Sequence, residues 1–80
     1  MLSELNTSSK VVGAKQTKRA LGDGRATKVF LAADADSRVT EPLARLAQEA
    51  AVAVEEVPSM KELGAACGIA VGSAVAALVG

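Results

Sequence analysis

Near the middle of this 80-residue chain stands the stretch Lys28-Val29-Phe30-Leu31-Ala32-Ala33, which is apolar at every position after its lysine. A strand that is covered on both faces has this pattern, because no polar side chains alternate with the apolar ones. The stretch therefore predicts a buried central strand, with helices packed on both faces of the sheet that contains it.

The segment before this strand predicts a short strand and then a helix. Val11-Val12 has the character of a strand, and Gly13 interrupts it. From Ala14 to Leu21 the small and apolar residues recur at helical spacing, and Gly22 favours the end of the helix. Three residues form the predicted inner face of this helix: Thr17, Ala20 and Leu21.

The segment after the central strand predicts a loop over residues 34–37 and then a second helix. Thr40 is the predicted N-cap of that helix, because a threonine hydroxyl can accept a hydrogen bond from a free amide of the first turn. Pro42 then falls in the first turn, where a missing amide hydrogen breaks no intrahelical bond. The predicted buried stripe consists of Leu43, Leu46, Ala47 and Ala50.

The remaining third of the chain predicts a strand, a helix and a final strand. Val52-Ala53-Val54 is the predicted strand, and the sequence from Ser59 to Glu62 is a capping box that opens a helix ending at Gly68. Ala70 to Val79 is the predicted final strand. The alternation of strands and helices predicts one α/β domain over residues 1–80, with helices on both faces of the sheet.

The charges of the chain are balanced in number but unevenly distributed. Residues 10–28 hold six basic residues and one acid, a net of five positive charges, whereas the remainder holds three basic and eight acidic residues. We therefore expect one face that attracts phosphate and another that repels it. The six basic residues are Lys10, Lys15, Lys18, Arg19, Arg25 and Lys28.

The composition argues against several classes of protein. There is no histidine for general base catalysis, and a single aromatic residue argues against stacking on single-stranded bases. The lone Cys67 cannot form an intrachain disulfide, which favours the cytoplasm, and we expect it to be a buried packing residue. The uncharged stretch from Leu63 to Gly80 is rich in alanine and glycine and has the minimum length of a membrane span, so we expect no membrane association.

Two carboxylates, Asp34 and Asp36, follow the central strand at the edge where α/β sheets bind ligands. One interpretation is a magnesium pair; the favoured interpretation is a pair of polar turn and cap residues. We therefore expect no catalytic residue, no metal site and no cofactor, and hence no enzyme.

The start of the first helix is the strongest candidate site. Lys15, Lys18 and Arg19 are three and four residues apart, so their charges repel one another on one helical face. Lysine and the neighbouring Gln16 are long side chains suited to base edges, and the first amides of a helix can receive phosphate. A polyanionic partner is one interpretation, and an ordinary solvated basic face is the alternative.

Four blocks of the chain resemble the kink-turn RNA-binding ribosomal proteins typified by archaeal L7Ae, in particular their small bacterial members. The blocks are Val12-Gly13-Ala14-Lys15-Gln16-Thr17, Val29 to Asp36, Val57-Pro58-Ser59-Met60-Lys61-Glu62-Leu63-Gly64 and Cys67-Gly68-Ile69-Ala70-Val71. The resemblance implies a three-layer α/β/α sandwich with a small mixed sheet. It also implies binding to RNA helices that are kinked at tandem sheared G·A pairs.

The resemblance implies a role for each part of the site. Lys15 and Gln16, where archaeal and eukaryotic members have Asn-Glu, would contact guanine edges, and Arg19 would contact phosphate or the same edges. The loop Ile69–Val71 would pack against a flipped-out nucleotide, with Ala70 where relatives are often acidic. The implied RNA-binding residues are Gly13, Ala14, Lys15, Gln16, Lys18, Arg19, Lys61, Ile69, Ala70 and Val71.

The expected partner is a structured RNA, such as a kink-turn in ribosomal or regulatory RNA, bound by a cytoplasmic monomer. We expect a ribosomal protein or a protein associated with the ribosome. The overall neutrality of the chain keeps a second hypothesis open, since most ribosomal proteins are basic. Under that hypothesis the chain is a protein-interaction or ribosome-associated module of the same fold without kink-turn affinity.

Overall fold

The computed structural model describes Leu5 and residues 9–80, and in this part four strands and three helices alternate. They are β1 (Lys10–Val12), α1 (Ala14–Gly22), β2 (Ala26–Ala32), α2 (Ser37–Glu49), β3 (Ala53–Val57), α3 (Met60–Ala66) and β4 (Val75–Val79). The strands form one sheet in the order β1-β4-β2-β3, with β2 parallel to β3 and β4 antiparallel to β1 and β2. The α/β class and the mixed sheet are confirmed.

The central strand β2 separates two apolar layers. Val29 and Leu31 pack in the layer that contains α1 and α2, whereas Phe30 and Ala32 pack in the layer that contains α3. The predicted burial of this strand on both faces is confirmed, although β2 begins at Ala26, two residues earlier than the apolar stretch. The predicted inner face of α1 is also confirmed, since its three residues are the buried ones of that helix.

The predicted start of α2 is wrong. The N-cap is Asp36, whose carboxylate accepts a hydrogen bond from the Arg38 amide at 2.9 Å, and the helix begins before Thr40. Pro42 therefore lies inside the helix, where it removes one intrahelical hydrogen bond. Two residues of capping type compete in this segment, and aspartate is the stronger N-cap.

The predicted buried stripe of α2 is confirmed in part. Leu43 and Ala47 are buried, and Leu46 is partly buried at the edge of the same layer. Ala50 is exposed, because the helix ends at Glu49 and Ala50 is its C-cap.

The serine half of the predicted capping box at the start of α3 is confirmed. The Ser59 hydroxyl accepts a hydrogen bond from the Glu62 amide at 3.1 Å. The predicted end of the helix is confirmed as well, since Gly68 follows it with φ of +79°, in the left-handed region that favours glycine.

The predicted final strand starts too early, because residues 69–74 form a loop and β4 begins at Val75. The backbone of this loop bonds to α3: the Ser73 amide donates to the Met60 carbonyl at 3.0 Å. The uncharged stretch after residue 63 is thus divided between a helix, a loop and a strand. Among the described residues, no helix is long and apolar enough to cross a membrane.

Candidate functional site

Several loops converge at one edge of the sheet. The three strands β1, β2 and β3 end at this edge, and β4 begins there, because β4 is antiparallel to β1 and β2. The start of α1, the segments that follow β2 and β3, and the loop before β4 therefore all lie at the same edge, which we call the loop edge.

Gly13 fixes the start of α1 at the loop edge. It is the N-cap of the helix, with φ of 100° and ψ of 156°, a conformation that is accessible essentially to glycine alone. Its amide donates a hydrogen bond to the Val75 carbonyl at 2.9 Å. This bond holds the first turn of the basic helix against the first residue of β4.

The charged and amide side chains of α1 face solvent, whereas Thr17 is buried. Lys15, Gln16, Lys18 and Arg19 are exposed, whereas Ala14 is partly buried at the helix start. Within residues 9–80, no ion pair ties any of these three cations to another side chain. Their positive charges are therefore available to an anionic partner.

The segment Ile69–Val71, which we call the apolar loop, presents apolar side chains to solvent. Val71 is 70% exposed and Ile69 is 37% exposed, and Ala70 between them is also exposed. The backbone around these side chains is fixed, because the Ile69 amide donates to the Gly64 carbonyl at 3.1 Å. The loop therefore presents an apolar surface to solvent on a backbone that is bonded to α3.

Two glycines allow the apolar loop to lie directly on α3. A Cβ atom at Gly64 would overlap the carbonyl oxygen of Val71, and a Cβ atom at Gly72 would lie 3.1 Å from the Cβ of Met60. At Gly64 only a residue without a side chain lets the loop backbone approach the helix this closely, whereas a side chain at Gly72 would crowd Met60.

The structure brings most of the predicted site residues to the loop edge. The helix start from Gly13 to Gln16 and the apolar loop lie there together, and Lys18 and Arg19 lie one turn further along α1. Lys61 is exposed in the first turn of α3, at the same edge but on the opposite face of the sheet from α1. Which of these residues contact RNA stays a prediction.

Two of the six basic residues between residues 10 and 28 lie away from the loop edge. Lys28 pairs with Glu55 at 3.0 Å and lies 5.1 Å from the centre of the Phe30 ring. Arg25 comes just before β2, at the edge opposite the loop edge, and lies 3.7 Å from Asp23. These two cations are therefore poorly placed to contact an anion at the loop edge.

Sequence reasoning missed a groove between α1 and α2. It has a volume of about 660 Å³, with apolar residues such as Val39, Pro42 and Leu46 among those lining it. Lys15 and Lys18 from α1 and two arginines from α2, Arg38 and Arg45, also line this groove. The spacing of seven residues between the two arginines was the available signal, since it places them on one side of a helix.

The two carboxylates after β2 are engaged by backbone amides. Asp34 accepts a hydrogen bond from the Met60 amide at 2.8 Å, and Asp36 caps α2. The Arg38 guanidinium, 2.8 Å from Asp36, lowers the pKa of that carboxyl. Their interpretation as turn and cap residues is confirmed, and the described residues contain no cluster of three or more potential metal ligands.

Cys67 is buried in the apolar layer below α3, as predicted. Burial raises the pKa of its thiol. The thiol is therefore less readily ionised than a free cysteine, which fits a packing role better than that of a nucleophile.

Residues 2–80 match the Ribosomal protein L7Ae/L30e/S12e/Gadd45 family. The chain belongs to this family. It is 51% identical over 69 residues to the RNA-binding protein YbxF of Geobacillus stearothermophilus, a match that covers 86% of this chain and 84% of that protein. It is 47% identical over 75 residues to an RNA-binding protein of Geobacillus sp. (strain WCH70). That match covers 94% of this chain and 92% of that protein.

Solved structures share the fold of this chain. The 15.5kD RNA binding protein of Giardia lamblia has a TM-score of 0.89 and 25% identity, over 99% of this chain and 68% of that chain. A Bacillus halodurans protein of unknown function has a TM-score of 0.87 and 24% identity, over 99% of this chain and 83% of that chain. The family resemblance and the three-layer fold are therefore confirmed. Family membership also confirms the prediction of a non-enzymatic protein, since the named relatives are RNA-binding proteins.

Proposed function

We propose that this protein is a non-enzymatic RNA-binding protein that recognises kink-turn RNA. One observation carries the proposal: the hydrogen bond of 2.9 Å from the Gly13 amide to the Val75 carbonyl. It joins the basic helix start to the strand that follows the apolar loop, so that both surfaces lie at one edge. The similarity to proteins named as RNA-binding supports RNA as the partner.

The two surfaces have different chemistry, and each suits a different part of a kinked RNA. Lys15 offers only donors, whereas the Gln16 amide offers both donors and an acceptor, and both side chains are exposed at the helix start. They suit the edges of sheared G·A pairs in a widened groove. The apolar loop offers no charge and suits the face of a base that has left the stack.

Selectivity for kinked RNA over a regular RNA helix follows from the fixed arrangement of the basic helix start and the apolar loop. A regular RNA helix has a deep, narrow major groove that side chains cannot enter, and its bases remain stacked. Such a helix can satisfy the cations of α1 through its phosphates, but it offers no displaced base to the apolar loop. An RNA that presents an open groove and a displaced base together satisfies both surfaces at once, which favours the kinked shape.

The α1–α2 groove favours a second candidate function, that of a protein-interaction module with the same fold. Apolar residues and four cations line the groove together with a single acid, Glu49. This chemistry suits an acidic amphipathic segment of a partner protein. In this case the chain would show no selectivity for a kinked RNA.

One titration tests the proposed function and separates the two candidates. The protein is titrated with a kink-turn RNA and with the same RNA whose G·A pairs are replaced. We expect clearly tighter binding to the kink-turn. Equal binding to both RNAs, or binding to neither, would rule out kink-turn recognition and favour the second candidate.

Arg25→Ala is the matched control that tests whether the RNA interface is confined to the loop edge. The nine residues of α1 are about 13 Å long, so an arginine beyond its far end lies more than a Debye length of about 8–10 Å from the loop edge. We expect this variant to change the affinity for either RNA by less than about twofold, because screening leaves little long-range attraction. A selective loss of kink-turn binding would show that the interface extends to the opposite edge.

The cytoplasmic location and the monomeric state expected from the sequence belong to the same proposal, as does a ribosomal or regulatory RNA as the cellular target.

A further inference from the structure

A continuous series of hydrogen bonds crosses the loop edge. The Asp34 carboxylate accepts from the Met60 amide at 2.8 Å, and the Met60 carbonyl accepts from the Ser73 amide at 3.0 Å. The Ser73 hydroxyl donates to the Val75 carbonyl at 2.8 Å. The same carbonyl accepts from the Gly13 amide at 2.9 Å. We call this series the edge chain.

The edge chain joins every element that forms the candidate site. It runs from the segment after β2, through the first residue of α3 and the loop before β4, to the N-cap of α1. Two backbone bonds to α3 flank the apolar loop. The Ile69 amide donates to the Gly64 carbonyl, and the Ser73 amide donates to the Met60 carbonyl. The position of the loop relative to the basic helix therefore depends on these bonds.

Two of the bonds depend on side chains. The Asp34 carboxylate reaches another element, whereas the Ser73 hydroxyl bonds within its own segment, to the Val75 carbonyl that also accepts from the Gly13 amide. Asp34 accepts from an amide 26 residues away, in the first turn of a helix whose own cap, Ser59, binds a different amide. Ser73 is only 6% exposed, and an alanine at this position would keep its backbone bond to Met60 while losing the hydroxyl. A buried hydroxyl is costly unless it is bonded, so the hydroxyl at this position serves the bond to Val75.

We propose that Asp34 and Ser73 are positioning residues for RNA recognition, which set the apolar loop relative to the basic start of α1. This inference rests on the proposed function. Without either side chain the cations of α1 remain, so affinity for phosphate persists. The backbone bonds between the loop and α3 remain, but the loop is held less precisely, and the discrimination between kinked and regular RNA falls.

The effect of the Asp34 hydrogen bond can be distinguished from the effect of its negative charge. Asp34 is exposed at an edge that is expected to meet RNA. If its charge alone mattered, both Asp34→Ala and Asp34→Asn would bind every RNA more tightly, because a repulsive charge is gone. If its hydrogen bond matters, the asparagine variant keeps the acceptor for the Met60 amide and only the alanine variant loses discrimination.

The test is a titration of wild type, Asp34→Ala, Asp34→Asn and Ser73→Ala with the kink-turn RNA and its G·A-replaced form. We expect Asp34→Ala and Ser73→Ala to lose about five- to tenfold in the ratio of the two affinities, in line with the loss of one hydrogen bond. We expect Asp34→Asn to keep the wild-type ratio within about twofold, since it retains the bond.

Each outcome decides one question. A wild-type ratio in both Asp34→Ala and Ser73→Ala would overturn the positioning role and leave kink-turn recognition standing. Equal losses in Asp34→Ala and Asp34→Asn would overturn the role of the Asp34 hydrogen bond. A wild-type protein without discrimination would overturn the proposed function itself, and the positioning role with it. Because Ser73 lies on a different element from Asp34, it provides a second test if one variant does not fold.

Discussion

Lys15→Ala and Gln16→Ala each abolish most of the discrimination between kink-turn RNA and its G·A-replaced form. Both side chains are exposed at the helix start, one residue or two beyond the partly buried Ala14. A good contact to a base edge discriminates by about 1–3 kcal/mol, so the ratio of the two affinities falls about fivefold or more. The measurement is a pair of titrations for each variant.

Lys18→Ala is the matched control, since it removes the same charge from an exposed site one turn along α1. We expect it to weaken binding to both RNAs alike and to make the salt dependence shallower by about one unit of slope. Lys15→Ala relieves a like-charge pair and favours the helix, so weaker binding cannot be ascribed to unfolding. An equal effect of Lys15→Ala on both RNAs would contradict base-edge contact.

The second large effect is on stability: Gly64→Ala lowers the free energy of unfolding and displaces the apolar loop. The new methyl group would overlap the Val71 carbonyl oxygen, and neither the helix backbone nor the loop backbone can move away freely. Overpacking of this kind costs about 1–3 kcal/mol, which exceeds the gain of up to about 1 kcal/mol in helix propensity. Urea unfolding measures the change.

Gly22→Ala is the matched control, because Gly22 also lies in a helix but a Cβ atom there would meet nothing within 4 Å. We expect it to stabilise the protein by about 0.5–1 kcal/mol, in line with alanine's better helix propensity. If Gly64→Ala stabilised the protein as Gly22→Ala does, the close contact between α3 and the apolar loop would be refuted.

The parts of the fold that could be predicted are those that are specified by an unbroken local pattern. The apolar stretch of β2 is typical of a strand covered on both faces, and the inner face of α1 follows from helical spacing. The predicted start of α2 is wrong because this segment offers two capping residues, Asp36 and Thr40, and Pro42 fits the first turn only if Thr40 is the cap. In the structure Asp36 is the cap, in line with the stronger capping tendency of aspartate.

The loop before β4 illustrates a second limit. Residues 69–74 have the composition of a buried strand, yet their backbone bonds to α3, which is a tertiary contact without a periodic signal. The basic half of the site could be predicted from the charges on α1. The apolar half came only from the family resemblance, and the edge chain and the α1–α2 groove depend on packing that no single segment specifies.

The central claim is that the start of α1 and the apolar loop bind the RNA together. Amide chemical shifts of the labelled protein, followed by NMR as kink-turn RNA is added, test this claim most directly. We expect the largest changes at residues 13–19 and at residues 69–71, growing in parallel during the titration. Changes concentrated along residues 38–49 of α2, with the apolar loop unaffected, would contradict it.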